Sequence, residues 1–405
     1  MLRSLFLLPQ EITPFGLNGR LGALNYQSAV NLNANADLQS LYCQLPERIL
    51  PHPRYCFLNA LNPFLCQKAL LESKFYDICR ELVCTHDLSI VWSARPLKTF
   101  LPIRLRLCKE EPFYLDNAAV LDLCTLLHAI NIFDNANFKI RQGLLDTAKN
   151  LGFKENIDRH KLTSKINALI FLSQKALEVS PKLFSFMAKN FAEQKKYLKK
   201  AILIQKPQIL VDRSGSLNLI LPLNLAGFKL KAIIYADDDC FIDEIDLCDR
   251  PLIAPYTVLT DKRQQNLNFD LNKVLLSISA AYEHQKDLYV KKAFDLEKKF
   301  FTRLNKYDLK LFHTLSKSGF NLAPIPQASD FFKNWILLCR GDNFRSELID
   351  AEYQHYIELS KNYLKQQVDS YRQEIEALAQ IIDENNANDL NLAQALIQYP
   401  KSLTY

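Results

Sequence analysis

The chain has 405 residues, of which 48% are hydrophobic and 23% charged, and its formal net charge is +6. This length allows two or three domains with sizeable cores, and the composition is typical of a folded protein rather than a disordered one. Only 9 residues are glycine, and neither G-x-G-x-x-G nor G-x-x-x-x-G-K-[ST] occurs, so dinucleotide-binding and P-loop chemistry have no support.

The ten cysteines never form a C-x-x-C pair, and most lie in apolar segments such as YCFLNALNPFLC (55–66). Zinc sites and disulfide frameworks depend on closely spaced or paired cysteines, so this pattern predicts buried free thiols in a reducing cytoplasm. No stretch of about 18 apolar residues occurs, and Pro9 ends the first apolar run. We therefore expect neither a membrane span nor a signal peptide.

Residues 1–125 alternate between strand and helix patterns, which is typical of an α/β layer. Strands are predicted at LFLLP (5–9), LGALNYQSAV (21–30) and LSIVWSA (88–94). A helix is predicted at 62–82, because Asn62-Pro63 is a suitable helix start, and a buried helix at 118–131.

The middle of the chain changes from helices to strands near residue 201. Helices are predicted at 136–151 and 158–178, and a basic amphipathic helix follows Pro181. Between 201 and 265, short β-rich runs beginning with AILIQ are separated by Pro, Ser-Gly and Asp clusters. Such spacing predicts a small antiparallel barrel or meander.

Helical patterns return from residue 270. We expect helices at 271–298, 306–318, 330–339 and 348–383, the last of them long and amphipathic, and a loop at 319–330.

Charge is unevenly distributed along the chain. Residues 151–215 contain 13 Lys and Arg against 5 Asp and Glu, and residues 237–249 contain seven acids and no base. The basic segment either contacts phosphates or solvates helix faces, and both interpretations stay open. The acidic segment has no EF-hand spacing, so we interpret it as a surface turn.

Five segments, in the same order along nearly the whole chain, resemble segments of bacterial exodeoxyribonuclease I. That family belongs to the DEDDh nucleases, which trim single-stranded DNA from its 3′ end. The similar segments are ILPHPRYCFLNALNPFLC (49–66), VLDLCTLLHAI (120–130), INALIFLSQKALEVSPKLFSFM (166–187), ILVDRSG (209–215) and WILLCRGDNF (335–344).

The resemblance implies an α+β fold of three parts in a monomer. These would be an RNase H-like α/β exonuclease domain at 1–187, an SH3-like β-barrel with flanking helices at 188–300, and a helical C-terminal domain at 301–405.

The resemblance also implies four carboxylates that hold two divalent cations, with a histidine as general base. Aligned on LFLL, the first acid pair falls on Gln10 and Ile12; aligned on Phe15-Gly16, it falls on Glu11 and Thr13. Side chains two residues apart share a face of a strand, so either register leaves at most one carboxylate facing the site.

The other two motifs have lysine where the family has aspartate. SARPLK (93–98) places Lys98 at the acid position, and HKLTSK (160–165) keeps His160 but ends in Lys165. A lysine about 4 Å from a cation costs several kcal/mol at a surface-like dielectric, so we expect no metal cofactor unless the protein is an active, Mg²⁺-dependent nuclease. Either these lysines contact a phosphate or neutralise the remaining acid, or they point to solvent.

The candidate residues follow from these matches. Glu11 and His160 are the remaining catalytic candidates, and Gln10, Lys98 and Lys165 are the degenerate positions. The DNA-binding candidates are Lys161, Lys165, Lys199, Lys200, Arg213, Ser214 and Arg340. Phe191 and Tyr197 are either base-stacking or core residues. The second arginine of the family's helical-domain signature is Asp342 here.

Three functions remain open at this point. The first is a protein that binds single-stranded DNA with a degenerate catalytic centre. The second is an active, divergent 3′–5′ exonuclease in DNA repair. The third is a partner-binding protein on the same scaffold. The resemblance implies single-stranded DNA and the acidic tail of single-stranded-DNA-binding protein as partners, and whether the chain is an enzyme stays undecided.

Overall fold

In the computed structural model of the chain, two β-sheets are surrounded by helices. The structure describes residues 2–12, 20–34, 36–99, 118–141, 143–154, 160–285, 288–290, 296–318 and 327–403. Across these ranges, no helix combines the length and the hydropathy needed to cross a lipid bilayer.

The first sheet contains six strands in the described part of the chain: β1 (Arg3–Glu11), β2 (Leu21–Val30), β3 (Asn33–Ala34), β4 (Gln39–Tyr42), β5 (Leu88–Val91) and β6 (Val120–Asp122). Their order is β3-β2-β1-β5-β6, and β4 also pairs with β2. Strand β1 is antiparallel to β2 and parallel to β5, and β5 is parallel to β6. The centre of the sheet is therefore β1.

Helices cover both faces of this sheet, so β1 is buried on both sides. The helices of this region are α1 (Pro53–Asn59), α2 (Glu72–Thr85), α3 (Leu123–Asp134), α4 (Leu144–Asn150), α5 (Leu162–Val179), α6 (Pro181–Met187) and α7 (Phe191–Leu203). Phe6 lies in an apolar cluster with Leu126 of α3 and Leu169 of α5, whereas Leu7 lies in another with Phe75 of α2. Each such side chain contributes about 1.5–3 kcal/mol by burial.

The second sheet is antiparallel and confirms the β-rich interpretation of the middle region. Its strands are β7 (Gln208–Val211), β8 (Leu217–Ala226), β9 (Lys229–Ala236), β10 (Asp239–Asp246) and β11 (Leu252–Pro255), in the order β10-β9-β8-β7-β11. Asp237 and Asp238 both have positive φ, as the two-residue hairpin turn between β9 and β10 requires. Because both are exposed, the acidic segment begins as the predicted surface turn.

Eight helices are described beyond the second sheet: α8 (Asp261–Leu267), α9 (Leu271–Glu283), α10 (Leu296–Phe301), α11 (Lys306–Ser318), α12 (Asp330–Asn343), α13 (Asp350–Lys365), α14 (Val368–Leu378) and α15 (Ala387–Gln398). Helix α9 packs on β9, whereas α12 contacts α2, and α14 and α15 contact α1. Tyr371 and Leu396 share an apolar cluster with Ile12 and Phe57. The end of the chain is therefore packed against its beginning.

Four charged side chains, buried together, join α12 to the amino-terminal region. Arg48 binds Asp342 at 2.5 Å, and Arg20 binds Glu72 at 3.1 Å and lies 3.9 Å from Asp342. All four side chains are at most 5% exposed. Tyr356 also donates a hydrogen bond to Asp342 at 3.1 Å. We call Arg20, Arg48, Glu72 and Asp342 the ion cluster.

Two sequence predictions of secondary structure were wrong. The helix expected at 62–82 is divided into a 3₁₀ turn at Pro63–Cys66 and α2, since Leu70 forms a β-bridge with Cys43. The run AILIQ was expected to be a strand, but α7 continues to Leu203, and Gln205 follows with positive φ.

Other helices also differ from their predicted bounds. The helix predicted at 271–298 ends at Glu283, and the one predicted at 118–131 begins at Leu123, after β6. The pattern at 136–151 yields only α4, at 144–150. The pattern at 348–383 yields α13 and α14, which separate at Gln366 and Gln367. The Gln367 side chain accepts from the amide of Leu50 and donates to the carbonyl oxygen of Arg48, so this break docks the helices onto the amino-terminal region. Most of the loop expected at 319–330 lies outside the described residues.

The ion cluster predicts a large effect of one substitution. We expect Asp342→Asn to lower the free energy of unfolding by about 3–5 kcal/mol, because it leaves buried guanidinium charge without its carboxylate. Denaturant titration of the purified protein measures this. The control is Asp330→Asn on the same helix, where the side chain is 96% exposed and the expected change is within about 0.5 kcal/mol. Equal losses in the two variants would contradict a role for the ion cluster.

Candidate functional site

Gln10, near the carboxyl end of β1, is 4% exposed, and both ends of its amide are hydrogen-bonded. Its Nε2 donates to the carbonyl oxygen of Asn59, and its Oε1 accepts from Asn25 Nδ2 at 2.9 Å. Asn25 accepts in turn from the hydroxyl of Ser40. A carboxylate has no N–H, so it could not make the bond to Asn59. The position is occupied by a neutral amide whose nitrogen and oxygen are both hydrogen-bonded.

The end of β1 carries one carboxylate, at Glu11, which is 8% exposed. Ile12 is fully buried in the apolar cluster that contains Leu61. The packing there is tight, since a Cβ added to Gly22 would lie 2.5 Å from Cγ2 of Ile12. Thr13, the partner of Glu11 in the other register, lies outside the described residues. The described end of β1 thus provides a single acid where the family resemblance requires a pair.

Asp122 ends β6, beside the end of β5, and caps α3. Its Oδ1 accepts from the amide of Thr125 at 2.9 Å, and its Oδ2 accepts from the amide of Ala94 at 2.8 Å. Burial raises the pKa of Asp122 to about 6, although these two hydrogen bonds and the nearby Arg213 oppose the shift. Asp122 therefore holds the turn after β5 against the start of α3. Lys98 lies in the 3₁₀ turn that follows, and its side chain is outside the described part.

His160 lies just before α5, and the structure joins it to the far end of the chain. Its Nε2 is hydrogen-bonded to Oδ1 of Asp389, a fully buried residue of α15. Asp389 also accepts from the amide of Asp383 at 3.1 Å. The His160 side chain is 10% exposed. Sequence reasoning missed Asp389, because nothing in its local context marks a partner 229 residues away.

The lysines predicted to bind DNA lie on two helices. Lys161 is exposed at the start of α5, and Lys165 is half-buried within it. Lys199 and Lys200 are exposed near the end of α7, which packs against β8. In the same helix, Phe191 is buried in the core, where it cannot stack on a base.

Arg213 and Ser214 lie in the turn between β7 and β8, which packs against α3. Oδ1 of Asp212 accepts from the amide and hydroxyl of Ser214 at 2.8 and 2.6 Å. Gly215 has a φ of +83°, and an added Cβ would lie 2.5 Å from Nδ1 of His128. Burial lowers the pKa of His128. The turn is therefore closely constrained, with Ser214 exposed and Arg213 half-buried near the carboxylate of Asp122.

Arg340 forms its hydrogen bonds in another part of the fold. Its guanidinium donates to Oε1 of Glu352 at 2.7 Å and to the carbonyl oxygen of Glu347 at 3.2 Å. The structure thus brings Arg213 close to Asp122, but it ties His160 to α15 and Arg340 to α13 and the turn before it.

No protein-family model matches the chain, and no curated protein sequence matches it. Solved structures do match over the full length. One is E. coli exonuclease I in complex with a dA16 oligonucleotide, with a TM-score of 0.75, 14% identity and 100% of both chains covered. A product-bound exonuclease I has a TM-score of 0.76, 15% identity and 99% of both chains covered. An ExoI/SSB-Ct complex has a TM-score of 0.74, 14% identity and 100% of both chains covered. The chain therefore has the mixed α/β fold of exonuclease I, at a sequence identity that shows the fold alone.

The raised pKa of Asp122 predicts a pH-dependent contribution to stability. The folded state holds this proton more tightly than the unfolded state, so the contribution is complete below about pH 3.8 and is lost as pH rises through about 6. Asp122→Asn removes the titration. We expect the stability of the wild type, measured relative to this variant, to fall by about 3 kcal/mol between pH 3.5 and pH 7.5. Urea titrations at both pH values measure the difference.

A constant difference between the two proteins across this range would contradict the assigned pKa. Asp146→Asn in α4 is the matched control, since it makes the same chemical change at another helix.

Proposed function

We propose that the chain binds single-stranded DNA on an exonuclease-I-like scaffold without hydrolysing it. The full-length likeness to exonuclease I supports the scaffold. We also propose the family's division into an RNase H-like domain at 1–187, an SH3-like domain at 188–300 and a helical domain at 301–405. The strand order around β1 and the antiparallel second sheet favour this division.

The proposed absence of catalysis rests mainly on the hydrogen bonds of the Gln10 amide. Two-metal hydrolysis needs several carboxylates around paired cations, because Mg²⁺ requires oxygen ligands in near-octahedral geometry. Gln10 uses its amide within the fold, and Ile12 is buried in an apolar cluster. Within the described ranges, no three His, Cys, Asp or Glu side chains are grouped so that they could hold a metal ion. These residues do not fit a pair of magnesium ions.

The engagement of His160 supports the same conclusion. A general base must reach the attacking water, and the bond to the buried carboxylate of Asp389 occupies the Nε2 of His160, whose side chain is 10% exposed. We therefore assign His160 to the attachment of α15 rather than to proton transfer, and Glu11 is the one acid of the first pair at the described end of β1.

DNA binding rests on the exposed cations and on the solved complexes. E. coli exonuclease I has been solved with a dA16 oligonucleotide, and single-stranded DNA tracks grooves lined with Lys and Arg. In this chain, the exposed Lys161, Lys199 and Lys200 could contact phosphates, and Arg213 and Ser214 could contact them from the β7–β8 turn. Arg340 is the weakest candidate, because Glu352 already neutralises it.

An acidic peptide tail is the protein partner that we propose, since exonuclease I has been solved with SSB-Ct. A cleft of about 480 Å³ between α3, α6 and the end of β11 has a suitable apolar lining, which includes Phe133 and Phe186. Its cations are Lys182 and Arg263, and the latter pairs with Asp134 at 3.4 Å. The alternative of an active exonuclease in DNA repair requires metal ligands outside the described residues.

The nuclease assay separates the first two functions. We expect a 3′-labelled oligonucleotide to keep its full length after incubation with the protein and Mg²⁺ or Mn²⁺, because the described site offers one acid of the first pair. Gel electrophoresis against an EDTA control measures this. Progressive shortening that EDTA abolishes would contradict the proposal and establish an active nuclease.

Binding at increasing salt concentration tests the DNA interface. We expect the affinity for a single-stranded oligonucleotide to fall with salt, and the double variant Lys199→Gln/Lys200→Gln to reduce the log–log slope by about 1.4, since each lost phosphate contact removes about 0.7. The matched control is Lys361→Gln/Lys365→Gln, which changes the same charge at exposed positions of α13.

Fluorescence anisotropy measures both the slope and the affinity. If the two double variants behave alike, α7 does not contact the DNA. If no DNA binds at low salt but a labelled acidic tail peptide binds, the chain is a partner-binding protein.

A further inference from the structure

A small cavity lies where the two sheets and the helices between them meet. Its volume is about 80 Å³, and its lining includes Val120 of β6, Phe186 of α6, Gln194 of α7 and Leu252 of β11. A water molecule needs only about 10–15 Å³ of such space, so the cavity is large enough for a small molecule of several heavy atoms. It is too small for a nucleotide or a folded peptide, and it is separate in size and lining from the residues proposed to bind DNA.

Arg250 is a buried cation of this cavity, whose lining also includes Asp122, Lys189, Glu193 and Tyr197. It is 6% exposed and follows the 3₁₀ turn Leu247–Asp249 with a φ of +52°, which directs the chain into β11. Its Nε donates to the carbonyl oxygen of Val120 at 2.8 Å. One terminal nitrogen donates to Oε1 of Gln194 at 3.0 Å, and the other donates to the carbonyl oxygen of Lys189 at 2.7 Å. All three acceptors are neutral.

The buried guanidinium therefore has no carboxylate ion-paired with it among the described residues. Asp122 lines the same cavity, but both of its oxygens accept from backbone amides, and burial raises its pKa to about 6. Burial likewise lowers the pKa of Arg250 to about 10. Charged residues that are almost fully buried are normally ion-paired, whereas Asp122 acts on Arg250 through its charge alone, with no hydrogen bond between the two in the described residues.

A guanidinium has five N–H groups, and Arg250 uses three of them within the protein. The remaining two lie one on each terminal nitrogen. Two N–H groups of this kind can hold two oxygens of one carboxylate or phosphate group. The apolar lining next to Arg250, at Phe186 and Leu252, leaves room for a short carbon chain.

We propose that this cavity binds a small oxyanion, a carboxylate or a phosphate, whose oxygens accept from the two free N–H groups of Arg250. The site is additional to the proposed DNA interface, and it would make the junction between the sheets responsive to a small metabolite. The ligand would be bonded directly to the guanidinium, whereas Asp122 and Glu193, the carboxylates that line the cavity, form no ion pair with Arg250 in the described residues.

Thermal unfolding with single probe anions tests the site. We expect the unfolding midpoint of the full-length protein to rise with the logarithm of the concentration of acetate, butyrate or inorganic phosphate, relative to chloride at the same ionic strength. A rise with acetate and butyrate identifies a carboxylate site, and a rise with phosphate alone identifies a phosphate site. No difference from chloride would overturn the proposal.

The variant Gln194→Glu places a carboxylate at the position that already contacts Arg250, with almost no change of shape. We expect it to abolish the response to the probe anions, because the internal carboxylate neutralises the guanidinium. The control Gln265→Glu, at an exposed position of α8, should keep the wild-type response. An equal response in Gln194→Glu and the wild type would be a general salt effect and would overturn the proposal.

Loss of this response would leave DNA binding unchanged if the two sites are independent. Measuring anisotropy with the same oligonucleotide in Gln194→Glu therefore separates failure of the anion site from failure of the proposed DNA interface.

Discussion

The ion cluster is the constraint that connects the rest of the structure. Arg48 and Asp342 are 294 residues apart, and Arg20 and Glu72 complete a group of four charges inside the protein. Buried charges are tolerated only with close partners. The packing of α12 against the amino-terminal region is therefore needed to compensate the charges on both sides. Asn343, the next residue, accepts from the amide of Ser73 at the start of α2. The helical region is therefore fixed to the amino-terminal region by charge and by hydrogen bonds, as well as by apolar packing.

Within this scaffold, hydrogen bonds and apolar packing hold the end of β1. An amide at Gln10 and an aliphatic side chain at Ile12 satisfy their surroundings better than two acids could. Asp122 keeps its acid because that acid caps α3 and holds Ala94. The polar groups of Gln10 and Asp122 thus serve packing and turn geometry.

The sequence predicted those parts of the fold that local patterns determine. Strands β1, β2 and β5, the antiparallel second sheet and α5 follow from periodicity and turn residues. The break at Gln367 was not predictable, because it depends on contacts with Arg48 and Leu50 more than 300 residues away. For the site, the register at Gln10 and Ile12 could be proposed from sequence, but the partners Asn59 and Asp389 could not, since hydrogen bonds between distant segments leave no local pattern.

The bond between His160 and Asp389 has a consequence for how the protein folds during its synthesis. A ribosome adds about 5–20 residues per second, so the segment around His160 leaves it about 10–45 s before residue 389 has been added. During that interval the amino-terminal sheet can form, but α15 cannot yet dock against it. Chains that terminate early would keep this histidine accessible to water and would leave the apolar surface around Ile12 and Phe57 open to quality-control proteases.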